Sequence, residues 1–334
     1  MALRAGSVHD PGDPYVSTGE LPPADLASSL VSEAHERYRA TDDGAVSEVY
    51  PALARVPPDL FGICVVATHG AVFSVGDAEV EFAIMSVAKP FVFALVCQSI
   101  GPEEARRLLG ANSTGLAFNS LAAIEQSPDG RTNPMVNPGA ITATSLVPGS
   151  SPDEKWEHLR GGLSRFAGRE LSLDEGTYRS ASETNSRNQS IARLLQSYGR
   201  IHCDPTEATD LYTRQSCLHV TARDLAVMGT TLAGGGVNPL TGGRVVDWAT
   251  CRYTLAVMAT AGLYETSGDW LYDVGLPGKS GIGGGIVTVA PGKGGLGTFS
   301  PRLDQAGNSV RGQLAARFVS RRLGLDIFLS TPAA

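Results

Sequence analysis

Apolar and polar positions divide the chain into strand-like ends and a helical middle. The segment LASSLVSEAHERYR, 26 to 39, predicts an amphipathic helix, and FGICVVATHGAVFSVGD, 61 to 77, predicts a hairpin turning at His69-Gly70. FAIMSVAKPFVFAL, 82 to 95, begins as a strand, turns, and ends as the apolar run of a buried helix. From Pro90 to about residue 260 the pattern is mostly helical, and stretches such as SRNQSIARLLQSYG and TARDLAVMGTTLAGGG stop on glycines, as helix C-termini often do. Strands then return. LPGKSGIGGGIVTVAPG, 276 to 292, predicts one glycine-punctuated strand, GLGTFSPRLD another, and NSVRGQLAARFVSRRLG a closing helix. Two strand-rich ends around a helical middle predict a sheet built from both ends of the chain, about 26–98 and 262–328, with a helical subdomain, about 99–261, inserted between them. Residues 1 to 25, rich in Pro, Gly, Ser and Asp without periodicity, predict a flexible leader, and 329–334 a short tail.

Composition narrows the function classes. The 334 residues are 42% hydrophobic, enough for a sizeable core, and 27 basic against 34 acidic side chains give a net charge of -7. With no basic block, nothing in the charge points to nucleic acid or to an anionic membrane, and a small molecule is the expected partner. Cys64, Cys97, Cys203, Cys217 and Cys251 are scattered, without a C-x-x-C pair, and read as reduced thiols of a cytoplasmic protein. No apolar run approaches the roughly 20 residues that span a bilayer, and the N-terminus has no signal-like apolar stretch.

The candidate chemistry sits where strand and helix patterns meet. Ser86 and Lys89, three apart, lie on one face of a first helical turn, within reach of each other. Serine needs a base, and a lysine serves once desolvation makes it neutral near pH 7, which Phe82, Ile84, Phe91 and Phe93 favour. The competing reading of S-x-x-K is a helix cap with a snorkelling lysine. Pro90 cannot donate to the Ser86 carbonyl, so the turn is expected to be distorted, or the regular helix to begin at Pro90. Lys279-Ser280-Gly281 resembles the K-[ST]-G of serine acyl-transferring enzymes that use S-x-x-K. The glycines after Ile282 would admit a substrate to backbone N–H groups, which together with that of Ser86 can stabilise an oxyanion. A phosphate-gripping loop or a mobile turn is the plainer reading of KSGIGGG, but no P-loop or dinucleotide context surrounds it. None of the six histidines has metal-ligand spacing, so neither a metal nor a cofactor is expected.

Taken in order, many stretches resemble the serine-dependent glutaminase family. They are VYPALA around Tyr50, SVAK at 86–89, NPMVNPGAI at 133–141, RN at 187–188, YTRQSCLHVTARDLA at 212–226, GGVNPLTGGRVV at 235–246, the run from Met258 to Ile286, and SPRLDQAGNSVRG at 300–312. The resemblance covers about residues 30 to 328. It implies the serine β-lactamase and penicillin-binding-protein type of fold, an α/β chain of the α+β kind with an antiparallel sheet flanked by helices. It also implies hydrolysis of L-glutamine to glutamate and ammonia, with Ser86 as nucleophile and Lys89 as base. Tyr50, Asn137, Asn188, Tyr212 and Tyr264 fall where the family contacts substrate, and Ile282 stands where a valine N–H helps form the oxyanion hole. A homo-oligomer, dimer or tetramer, is implied too.

Departures from the family pattern bear on specificity. A glutamate that binds the substrate ammonium usually stands seven residues before the asparagine of the R-N pair; here that position is Ala181. On a continuous helix seven residues return to nearly the same face, whereas Glu183 is turned roughly 140° from Asn188, so only an irregular helix would bring Glu183 to the substrate. Smaller changes are Pro138 in place of alanine and the order Ser216-Cys217. Two rival readings follow. Ser186-Arg187-Asn188 spells the S-x-N of penicillin-recognising peptidases and esterases of the same fold. Loss of the ammonium-binding carboxylate fits a catalytically weak, amino-acid-binding relative.

Overall fold

Seven strands and thirteen α-helices lie along residues 21–329, the part of the chain that the computed structural model describes. In chain order they are α1 (Ala24–Tyr38), β1 (Gly62–Ala67), β2 (Val72–Gly76), β3 (Phe82–Ala83), α2 (Ala88–Ile100), α3 (Pro102–Leu109), α4 (Ala122–Glu125), α5 (Asn137–Ser145), α6 (Pro152–Ala167), α7 (Glu175–Glu183), α8 (Ser186–Ser197), α9 (Pro205–Ser216), β4 (His219–Val220), α10 (Ala222–Ala233), α11 (Trp248–Ala261), α12 (Ser267–Val274), β5 (Gly278–Ser280), β6 (Gly285–Ala290), β7 (Gly294–Phe299) and α13 (Val310–Arg322). The expected leader and tail lie mostly outside the described residues, and α1 begins at Ala24, inside the range assigned to the leader.

The sheet joins the two ends of the chain. Its order is β2-β1-β7-β6-β5, antiparallel throughout, with Gly62 opposite Phe299 and Ala67 opposite Gly294 where the first and last strands meet. Successive side chains of a strand point to opposite faces. Ile63 and Val65 therefore pack with α1 and α13, through Leu30, Val31, Ala315 and Val319, while Cys64 and Val66 join the larger core built on α2, α6 and α10. Both faces are covered, which is why β1 is buried along its whole length.

One expectation changes. The strand expected over 276–292 is two strands, β5 and β6, joined by a glycine turn in which the Gly281 N–H donates to the Gly285 carbonyl and Gly284 has φ +96°, a conformation that favours glycine. From the helical middle, α10 packs directly on β7, β6 and β1. Glycines make this approach possible: a methyl on Gly297 would overlap the Ala222 carbonyl, and one on Gly295 the Ala226 carbonyl. The short β3–β4 pair, Phe82 opposite Val220, then carries the chain from the sheet into the turn that holds Ser86.

Candidate active site

That turn is built from a conflict between two residues. Met85 has φ +48°, costly for a side chain with a Cβ, and Pro90 has no N–H to extend a helix back onto Ser86. The chain answers with a tight 3-10 turn over Met85–Val87, and the α-helix begins at Ala88, so the distortion expected of Pro90 falls on the turn that carries Ser86. Among the described residues only Met85 and Tyr264 (φ +58°) are non-glycine residues with positive φ, and both belong to this site. Backbone strain of this kind persists where surrounding packing over-determines it.

Lys89 reaches back from the first turn of α2. Its Nζ lies 3.0 Å from Ser86 Oγ and donates to Asn137 Oδ1 at 2.7 Å. The aromatic rings of Tyr212 and Phe118 are 5.8 and 6.0 Å from the nitrogen. Burial holds the Lys89 amine down to about 7, from an ordinary value of 10.5. A lysine in a helix that enters the core thus has a physical account: the amine is enclosed, and its burial favours the neutral form.

Around this pair the phenols stay protonated. Burial raises Tyr50 and Tyr264 to about 12 and pushes Tyr212 well above its ordinary value, while hydrogen bonding to Ser86 partly offsets the rise for Tyr212 and Tyr264. The Tyr212 hydroxyl donates to Asn137 Oδ1 at 3.0 Å, and Asn137 Nδ2 donates to Asn188 Oδ1 at 2.9 Å. A second buried lysine, Lys279, donates to the Ser280 carbonyl at 2.7 Å and sits 4.2 Å from the Tyr264 ring. Burial first, and then the nearby Lys89, hold its amine well below the usual range. Gly281 follows, so close that a Cβ there would stand 3.1 Å from the Ser86 nitrogen. The K-S-G element is therefore folded against the S-x-x-K turn, as its spacing and order suggested.

A cavity of about 120 Å³ opens over Ser86. Tyr50, Asn137, Asn188, Tyr212 and Ile282 line it, so most of the expected residues converge there from five separate parts of the chain. Tyr264 lies behind it, its hydroxyl 3.3 Å from the Ser280 carbonyl and its ring against Phe118. Glu183 is not brought in: it ends α7, is exposed, and leaves the helix roughly 200° around from Ala181, which does line the cavity. The continuous helix assumed between Ala181 and Asn188 is broken at Thr184-Asn185. Ser186 is exposed and outside the lining, so the S-R-N triplet places no second hydroxyl at Ser86. Residues that the sequence reading passed over are Phe118, Asn185 and Thr213; the three-residue spacing of Asn185 and Asn188 was the signal available for one of them.

A Glutaminase profile matches residues 44–328, most of the chain. The chain belongs to the glutaminase family. "Glutaminase 2" of Yersinia pestis is 68% identical over 318 residues, covering 95% of this chain and 94% of that protein. A glutaminase of Mycobacterium ulcerans (strain Agy99) is 48% identical over 298 residues, covering 89% and 93%. Among solved structures, the probable glutaminase ybaS superposes with a TM-score of 0.91 at 41% identity, over 92% of this chain and all of that one. Mglu in its glutamate form gives 0.85 at 37% identity, over 93% and 71%. The fold is accordingly the β-lactamase-like one of the glutaminases, with its antiparallel sheet and flanking helices.

Proposed function

We propose that this glutaminase-family chain hydrolyses the side-chain amide of L-glutamine to L-glutamate and ammonia through a Ser86 acyl-enzyme. The observation that carries the reading is a buried lysine amine 3.0 Å from a serine hydroxyl at the floor of a cavity, where burial lowers the amine's affinity for its proton. Neutral Lys89 accepts the Ser86 proton as Oγ bonds to the amide carbon. The resulting oxyanion meets the N–H groups of Ser86 and Ile282, a role supported by the fit of Gly281 against Ser86. The lysine then passes its proton to the departing nitrogen, which leaves as ammonia, and a water molecule releases glutamate from the ester by the same steps in reverse. Tyr50, Asn137, Asn188 and Tyr212 are proposed to bind the substrate in the cavity, and Tyr264 to support Ser86 from behind.

Substrate range follows from what the cavity lacks. Among the described residues no carboxylate lines it, Ala181 is buried, and Arg187 is the one charged lining residue. An incoming ammonium therefore has only neutral oxygens and rings to meet, so glutamine is expected to be used less efficiently than by relatives with a glutamate at this position. The same feature favours the second reading, an amino-acid-binding relative with weak catalysis. Ammonia release from a panel of primary amides, glutamine with and without its α-amino group included, tests both: release from any of them supports the enzyme, whereas a glutamine binding isotherm without release from the panel supports the binder. A reduced, cytoplasmic setting is supported by five unpaired thiols, and the homo-oligomer implied by the family is checked by light scattering.

A further inference from the structure

Asn185 occupies a helix N-cap position yet caps nothing. Asparagine at such a position ordinarily accepts from the N–H groups of the first helical turn, a bond whose loss costs about 1 kcal/mol. In α8 the Asn185 side chain makes no such bond. Its Oδ1 instead accepts from Asn188 Nδ2 at 2.8 Å, and its Nδ2 donates to Thr213 Oγ1 at 2.7 Å. Thr213 in turn donates to the Thr209 carbonyl at 2.7 Å. Asn137, Asn185, Asn188 and Thr213 are all buried.

These bonds form a chain with one direction. The Thr209 carbonyl can only accept, so the Thr213 hydrogen is committed to it and the Thr213 oxygen is left to face an N–H of Asn185. That turns the Asn185 oxygen toward Asn188, the Asn188 oxygen toward Asn137, and the Asn137 oxygen toward Lys89 and Tyr212. A neutral amine has two hydrogens and one lone pair. With one hydrogen taken by Asn137 Oδ1, the lone pair is free to face Ser86 Oγ. Were the Asn137 amide reversed, its NH₂ would compete with the Ser86 hydroxyl for that lone pair.

We propose that Asn185 is a positioning residue for acyl transfer, fixing the Asn137 amide through Asn188 so that its oxygen faces Lys89 and the lysine lone pair faces Ser86. The proposal rests on the serine-amidase reading above and extends it to a side chain that touches neither the nucleophile nor the lysine. The other titratable groups around Lys89 and its amide partners are Tyr212 on α9, Tyr264 beyond Ser86 and Lys279 on β5, all buried, and Tyr50, which lines the cavity and hydrogen-bonds Asn188. Substitutions at Asn185 or Thr213 leave these phenols and Lys279 in place, so the acceptor strength of Asn137 is what they change.

The test follows Lys89 directly, by NMR titration of protein carrying isotope-labelled lysine, the signal being assigned by its loss in Lys89→Arg. Asn185→Leu weakens the acceptor at Asn137 and should move the Lys89 midpoint to lower pH, with kcat on glutamine reduced about tenfold or more. Asn185→Asp brings a negative charge into the chain and should move it to higher pH. Thr213→Val should follow Asn185→Leu, and Thr213→Ser should restore the wild-type midpoint, so the idea stays testable if an Asn185 variant does not fold. Folded variants that keep the wild-type midpoint, or that shift it in the same direction for Leu and Asp, overturn the proposal. Wild-type protein that releases no ammonia from any amide overturns the amidase reading instead, because the titration does not depend on turnover.

Discussion

In the proposed mechanism Ser86 and Lys89 divide the chemistry between them, and their substitutions separate its parts. Ser86→Ala removes the acyl acceptor and should lower ammonia release by about a thousandfold or more without changing the melting profile. Lys89→Arg keeps a cation that cannot deprotonate, and should cost about a hundredfold or more. In the wild type, activity should climb with pH along a limb centred near 7, the value that burial imposes on Lys89; a flat profile from pH 5.5 to 9 refutes the assignment. Stability carries the same signature. A lysine free in the unfolded chain holds its proton up to about 10.4, whereas the folded protein releases it near 7, so between these values the unfolded state binds more protons and stability rises with pH. Lys89→Met should therefore be inactive yet melt higher than wild type, with the gap widest below pH 7 and shrinking toward pH 10. Ala181→Glu should raise kcat/KM for glutamine about tenfold to a hundredfold by giving the ammonium a buried partner, while Glu183→Ala should leave it unchanged. The reverse pattern would assign the ammonium to Glu183.

At the level of elements, the close packing of α10 on β7 makes the most demanding claim on sequence. Gly297→Ala has to push the helix off the strand and should lower unfolding stability by about 1–3 kcal/mol, more if the backbones must part, measured by denaturant titration. The same substitution at Gly292, where φ is +77° but open space surrounds the position, should cost less. These glycines also show what could be read in advance. The hairpin at His69-Gly70, the closing helix and the helix ends at glycine were legible, because local periodicity and turn chemistry decide them. The division of 276–292 into two strands was not, since a glycine run marks both a bend and a close approach. Nor was the break at Thr184-Asn185, where neither proline nor glycine stands and the buried partners of Asn185 come from α8 and α9. Ser86, Lys89 and the K-S-G element were legible as candidates because short motifs in order mark them, while Phe118 and Thr213 reach the site only through tertiary packing.

Over the whole molecule, the site lies on a sheet that neither end of the chain can complete. A fragment ending at residue 275 lacks β5, β6 and β7, and with them the wall that Gly281 and Ile282 form beside Ser86. It should show no cooperative calorimetric transition, whereas an independently folding N-terminal part would give one. Pairing of β1 with β7 has a further consequence for biosynthesis. Strand β1 leaves the ribosome and finds its partner roughly 230 residues later, which at about 5–20 residues per second means a wait of some tens of seconds at the slow end and about ten at the fast. Throughout that interval an apolar strand has one unsatisfied edge, and the nascent hairpin is a natural client for a chaperone. Ser86 likewise lacks the wall beside it until β5 and β6 have been made, so under the proposed mechanism the site assembles only once the sheet closes.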